Sequence, residues 1–169
     1  KSCLLKRAVQ GKFTENYQAT IGFEFLLLYY EINGVKIKLQ IWDTCGQEMY
    51  RSLVQGFYRN TALTLLTYAI NDLKSFDDLL DWLNDIKNNT TNNMPIFLVG
   101  NKCDLKDDVE INTQTAKDFA KKNNLMYFNE ASAKTGYNID DIFTEIAKYL
   151  YKEYYLQGKN KDKKRKMEL

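Results

Sequence analysis

Apolar and polar residues alternate from Val35 to Trp42, and the run then breaks into Asp43-Thr44-Cys45-Gly46-Gln47-Glu48. That pattern predicts a buried strand ending in a polar loop, the place where α/β folds gather ligands. Phe23–Ile32 is strongly apolar and aromatic and predicts another strand. Asn33-Gly34 lies between the two and is a two-residue hairpin signal, so the strands should pair antiparallel. Near the start, Leu4, Leu5 and Val9 form a short helical stripe directly after Lys1-Ser2, and Gly11–Gly22 reads as a polar, flexible loop. Met49–Asn60 is mixed and partly helical, and Leu63–Ala69 reads as a buried strand. Ser75 is expected to N-cap a helix carrying Phe76, Leu79, Leu80, Leu83 and Ile86. Pro95 introduces Ile96-Phe97-Leu98-Val99, a run typical of a buried parallel strand. A helix is expected over Thr113–Lys122, a strand over Leu125–Phe128 and a long amphipathic helix over Ile139–Tyr155. Strands alternating with helices predict an α/β fold with a mostly parallel sheet.

Composition narrows the class. The 169 residues are 44% hydrophobic and 14% aromatic, which suits one domain with a sizeable core. No apolar run approaches the length of a membrane span, and no signal-peptide pattern opens the chain. Cys3, Cys45 and Cys103 are odd in number and scattered, which predicts reduced thiols in a cytosolic protein. With no histidine, a histidine-based triad and a histidine-ligated zinc are excluded. From Gly158 onward six basic residues face two acidic ones, leaving 18 basic and 20 acidic in the body. A body at −2 with a tail at +4 suggests attraction to an anionic membrane surface, or else a merely solvated tail. No basic face is evident in the body, so no nucleic-acid partner is expected.

Three loops then carry candidate chemistry. Asp43 ends a strand where a carboxylate can hold Mg²⁺ through water. Gly46 lets a backbone N–H approach a phosphate, and Gln47 can orient a water for attack on a γ-phosphorus. Asn101-Lys102-Cys103-Asp104 follows the strand after Pro95. A carboxylate accepts guanine's ring N–H and exocyclic amino group together, whereas adenine would leave Asp104 unpaired, a difference able to discriminate by about 10⁴-fold. The Lys102 stem can cover one face of a base, and Asn101 can tie this loop to a phosphate loop. Glu130-Ala131-Ser132-Ala133-Lys134 follows the last strand.

Together these loops resemble those of the Ras-like small GTPases, and within them the Rab family. The Rab flavour lies in Thr20-Ile21-Gly22-Phe23-Glu24-Phe25, Lys38-Leu39-Gln40-Ile41-Trp42, Gln47-Glu48-Met49-Tyr50-Arg51-Ser52-Leu53 and Phe57-Tyr58-Arg59. The resemblance covers about Lys1 to Tyr155 and implies a P-loop NTPase small G domain over residues 1–156, with a basic disordered tail over 157–169. It implies that Lys1 reaches the β- and γ-phosphates of GTP. Ser2 and Thr20 would place hydroxyls on Mg²⁺, with Asp43 holding it through water. The Cys3 N–H would meet the α-phosphate, and Phe13 would stack edge-on against guanine. Thr20 and Gly46 would touch the γ-phosphate, and Gln47 would position the attacking water. Ala133 would give its N–H to the guanine oxygen, framed by Ser132 and Lys134, with Asn101, Lys102 and Asp104 completing the base site. Gly11–Gly22 and Asp43–Asn60 would be the two switches, and an exchange factor, a GTPase-activating protein and effectors are expected to bind through residues 12–25 and 43–60 (Phe25, Trp42, Tyr50); core packing is the alternative role for that trio. The implied function is a GTP-hydrolysing switch in vesicle traffic, cytoplasmic and peripheral on the cytosolic face of endomembranes. A signalling GTPase outside trafficking and a non-catalytic interaction domain are the alternatives.

The sequence departs from the family in three places. The family's first strand and the glycine part of its phosphate loop do not precede Lys1. That strand belongs mid-sheet, between Val35–Trp42 and Leu63–Ala69, so both should expose unpaired edges. This polypeptide is therefore expected to fold poorly and bind GTP weakly, and to be part of a longer chain. At the other end no cysteine follows Cys103, where Rab proteins carry a prenylated pair. Either the end is also incomplete or the protein is not lipidated. Locally, Cys45 replaces the usual alanine and Met49 a common basic residue.

Overall fold

In the computed structural model, residues 1–15, 20, 22–46, 51–58, 61–90 and 94–157 are described, with 51–53 described in their backbone only. Helix α1 (Ser2–Gln10) begins directly after Lys1 and turns its Leu4 and Leu5 inward. Gly11 ends it in the left-handed region at φ 66°, its N–H donating to the Arg7 carbonyl. Strands β1 (Phe23–Ile32) and β2 (Val35–Thr44) pair antiparallel in full register. Asn33 and Gly34 both take positive φ, 52° and 74°, which is why an Asn-Gly pair makes this turn.

Helix α2 (Arg51–Tyr58) precedes β3 (Thr64–Ala69). The short α3 (Leu73–Asp77) and α4 (Leu79–Asn89) follow, then β4 (Ile96–Asn101), α5 (Thr113–Lys122), β5 (Tyr127–Glu130) and α6 (Ile139–Leu150), which continues as a π-turn over Tyr151–Leu156. The strands β3-β4-β5 form a parallel sheet with β4 in the centre. Alternation along β4 feeds two cores. Phe97 and Val99 join Leu4, Leu5, Ile142 and Phe143 on the α1/α6 side. Ile96 and Leu98 join Leu79, Leu83, Ile86, Ala116 and Ala120 on the α4/α5 side. Both faces of β4 are thus buried, as a central parallel strand requires. The fold is an α/β domain with a parallel sheet, an antiparallel hairpin and flanking helices, the arrangement the resemblance implies.

Three elements differ in detail from the sequence expectation. Asp72, not Ser75, caps α3: its carboxylate accepts the Ser75 N–H at 3.0 Å, and the Ser75 hydroxyl donates back to the Asp72 carbonyl at 2.7 Å. The last strand starts at Tyr127 because Leu125 gives its N–H to Ala120 at 2.9 Å to close α5. The final helix is regular only to Leu150 and then widens to the π-turn.

Strands β2 and β3 do not pair with each other. Between them lies a cavity of about 600 Å³, lined by Lys38–Thr44 of β2, Thr64–Thr67 of β3, Leu4 and Leu5 of α1, and Phe143 and Ile146 of α6. Among the described residues each of these strands therefore has one unpaired edge, at the place where the resemblance puts the family's first strand.

Candidate functional site

Strand polarity brings the chemistry to one end. Asp43 near the end of β2, Asn101 at the end of β4 and Glu130 at the end of β5 all lead into polar loops at carboxyl ends. The loops after β4 and β5 are tied side chain to backbone. Asn101 Oδ1 accepts the Ala133 N–H at 3.1 Å. The Ser132 hydroxyl donates to Asp104 Oδ1 at 2.5 Å and accepts the Thr135 N–H at 3.1 Å. Ser132 is fully buried. The Cys103 N–H donates to the Ala131 carbonyl at 3.1 Å, and Lys102 sits exposed at φ 67°. Asn101 thus reaches the Ser132–Lys134 loop. It also occupies the Ala133 N–H that the resemblance assigns to the guanine oxygen, so a bound base would share or take that donor.

A second cluster forms around the start of α1. The hydroxyls of Ser2 and Thr20 lie 2.8 Å apart. Asp43 is 2% exposed, and neither of its carboxylate oxygens has a hydrogen-bond partner. Lys1 is exposed as a residue, yet its ammonium is crowded by protein. Burial pulls its pKa down, against the raising pull of Asp43 and Cys45. A Cβ on Gly46 would lie 2.8 Å from Lys1 Nζ, so the absence of a side chain there admits the ammonium. Lys1, Asp43, Cys45 and Gly46 are therefore one neighbourhood. The Ser2 and Cys3 N–H groups open the first turn of α1, where a helix offers donors without intrahelical acceptors.

The donor set fits Mg²⁺. An orphaned buried carboxylate calls for positive charge, and paired hydroxyls are hard oxygen donors. Among the described residues no cluster of His, Cys, Asp or Glu offers a competing site for a softer metal.

Phe13 is half-buried against the α1/α6 core, in the same loop as Glu15, which pairs with Lys134 at 3.4 Å. Phe25 and Trp42 are 42% and 45% exposed, with ring centroids 4.8 Å apart, so they are surface aromatics and not core. Gln47, Tyr50 and the tail beyond 157 lie outside the described residues.

The sequence reading passed over two features. Phe23, 53% exposed, and Phe57 join the aromatic patch, with centroids 5.5 Å and 5.0 Å from Trp42. Strand parity could have found Phe23, which shares a face with Phe25. Arg7 could not have been found this way, because its partners are backbone carbonyls far along the chain.

Comparison with known proteins agrees with the geometry. A model described as the Ras family matches residues 1–152. Ras-related protein Rab-30 of Homo sapiens is 42% identical over 153 residues, covering 90% of this chain and 75% of the relative. Its counterparts in Bos taurus and Mus musculus give the same figures.

Proposed function

The chain belongs to the Ras family of small GTPases, in its Rab branch, and from that premise we propose that it binds GTP and GDP and hydrolyses GTP as a switch in vesicle traffic. The observation that carries the reading is the convergence of Asn101, Asp104, Ser132 and Ala133 from two strand-end loops. In this reading Asp104 takes guanine's two N–H donors while Ser132 holds the carboxylate in place. Lys102 covers one face of the base, Phe13 meets its edge, and the Ala133 N–H serves its oxygen. Lys134 completes the loop.

At the other cluster Lys1 and the Gly46 N–H face the terminal phosphates, and the first-turn N–H of Cys3 faces the α-phosphate. Ser2, Thr20 and Asp43 would hold Mg²⁺, which when bound neutralises charge on the phosphate oxygens. Gln47 orients the attacking water. As in the family it resembles, intrinsic turnover is slow and an activating protein raises it by about 10³ to 10⁵. Loss of the γ-phosphate removes the contacts of Thr20 and Gly46 and so releases the switches at Gly11–Gly22 and Asp43–Asn60, a change that exchange factors and effectors read. Exposed Phe25 and Trp42, with Tyr50, form the effector contact. No described helix is long and apolar enough to cross a membrane. The basic tail at 157–169 supports a peripheral position on the anionic cytosolic face of endomembranes.

The test is nucleotide competition against fluorescent GDP. Wild-type protein should prefer guanine over adenine nucleotides by about 10⁴-fold, and Asp104→Ala should lose about 10²-fold or more in GDP affinity. Equal competition by ATP and GTP would overturn the reading.

A further inference from the structure

Arg7 lies on α1, five positions beyond Ser2, and its guanidinium serves three backbone carbonyls. Nε donates to Ala133 at 2.9 Å, Nη1 to Gly11 at 2.7 Å, and Nη2 to Lys134. These acceptors come from the two loops that flank the base site in the reading above, and the inference rests on that reading. Ala133 is consequently held on both of its peptide groups, its N–H by Asn101 and its C=O by Arg7. The side chain also packs over Gly136, where a Cβ would lie 3.8 Å from Nε. The other link between these loops, Glu15 with Lys134 at 3.4 Å, joins two exposed side chains and is screened by water.

We propose that Arg7 is a positioning residue that clasps the Gly11 loop to the Ala133–Lys134 loop and thereby sets how slowly guanine nucleotide leaves. The three carbonyls are met by three different nitrogens of one rigid plane, whereas lysine's donors all sit on a single nitrogen at the end of a flexible stem, so lysine is not an equivalent. With the clasp open, the Ala133 peptide loses one of its two restraints, and the loop carrying Phe13 is freed from the loop carrying Ala133. The phosphate cluster is untouched, because Ser2, Thr20, Asp43 and Gly46 make no contact with the Arg7 fork in the hydrogen bonds above. Arg7 thus acts on retention of the base and not on the hydrolytic step.

The experiment measures release of fluorescent GDP and of a non-hydrolysable fluorescent GTP analogue from the full chain. Wild type is compared with Arg7→Ala and Arg7→Lys, and each is also tested for Mg²⁺ affinity and single-turnover hydrolysis. Release should quicken about 10- to 100-fold in Arg7→Ala, equally for both nucleotides, and by a lesser factor in Arg7→Lys. Mg²⁺ affinity and the hydrolysis rate of bound GTP should stay within about twofold, which general loosening of α1 would not allow, since Ser2 shares that helix. Wild-type retention by Arg7→Ala, or full rescue by lysine, overturns the proposal. Faster release with an equal loss of Mg²⁺ affinity also overturns it, because Arg7 would then be merely structural. A wild-type protein that binds no guanine nucleotide overturns the reading of the site and this inference with it.

Discussion

The side-chain oxygen of Asn101 accepts the backbone N–H of Ala133 at 3.1 Å, joining the loops that follow β4 and β5. Replacing Asn101 by alanine leaves that N–H without its partner in the nucleotide-free protein and frees the loop that presents it. Asn101→Ala should lower stability by about 1–3 kcal/mol and weaken GDP binding by 10-fold or so. Urea denaturation and equilibrium titration check the two halves. An unchanged GDP affinity would detach this contact from the base site.

Asp43 is a buried carboxylate with no hydrogen-bond partner, and Lys1 pulls on it from nearby. A cation bound only in the folded state adds about 2.7 kcal/mol at a hundred times its dissociation constant. The melting temperature of the GDP complex should therefore rise with Mg²⁺ in wild type and hardly move in Asp43→Asn. An equal rise in both would remove Asp43 from the metal site.

Gly100 faces Tyr68 across the β3–β4 register, and a Cβ there would lie 2.7 Å from the phenol oxygen and 2.9 Å from a ring carbon. Because Tyr68 is 3% exposed, its ring has little room to retreat. Gly100→Ala should cost about 1–3 kcal/mol. Combining it with Tyr68→Leu should cost less than the sum of the two single changes, which a double-mutant cycle measures.

The Tyr68 hydroxyl is buried without a partner, and burial, aided by the Glu130 charge, raises its pKa well above the ordinary 10.0. The folded state therefore holds this proton more tightly than the unfolded chain does. Its contribution is complete below about pH 10 and is lost as pH rises from there toward the raised folded value. Tyr68→Phe removes the term. Denaturation across pH should show the variant near wild type at about pH 8, and less destabilised than wild type by about 1 kcal/mol at about pH 11.

Periodic elements were legible in the sequence. The Asn33-Gly34 turn, the alternating β2 and the apolar β4 each depend on residues close in the chain, so a local pattern specifies them. Boundaries set by distant or competing hydrogen bonds were not. Ser75 looked like a cap until Asp72, three residues earlier, supplied the stronger acceptor. Leu125 looked like strand until α5 claimed its N–H. In the candidate site, Asn101 and Asp104 stood out as polar side chains in a loop that follows a strand, whereas Ser132 came only from the family resemblance. Arg7 was hidden, since its partners are carbonyls, which every residue carries, and the fold alone chooses which ones.

The central claim is GTP hydrolysis through a Gln47-positioned water, and single-turnover release of phosphate from protein preloaded with γ-labelled GTP tests it most directly. Wild type and Gln47→Leu should each hydrolyse their bound GTP slowly alone. Added activating protein that acts on the Rab relatives should speed wild type by about 10³ to 10⁵ and leave Gln47→Leu in its GTP form. Stimulated turnover in Gln47→Leu equal to wild type, or no hydrolysis of bound GTP by wild type under any of these conditions, would contradict the account.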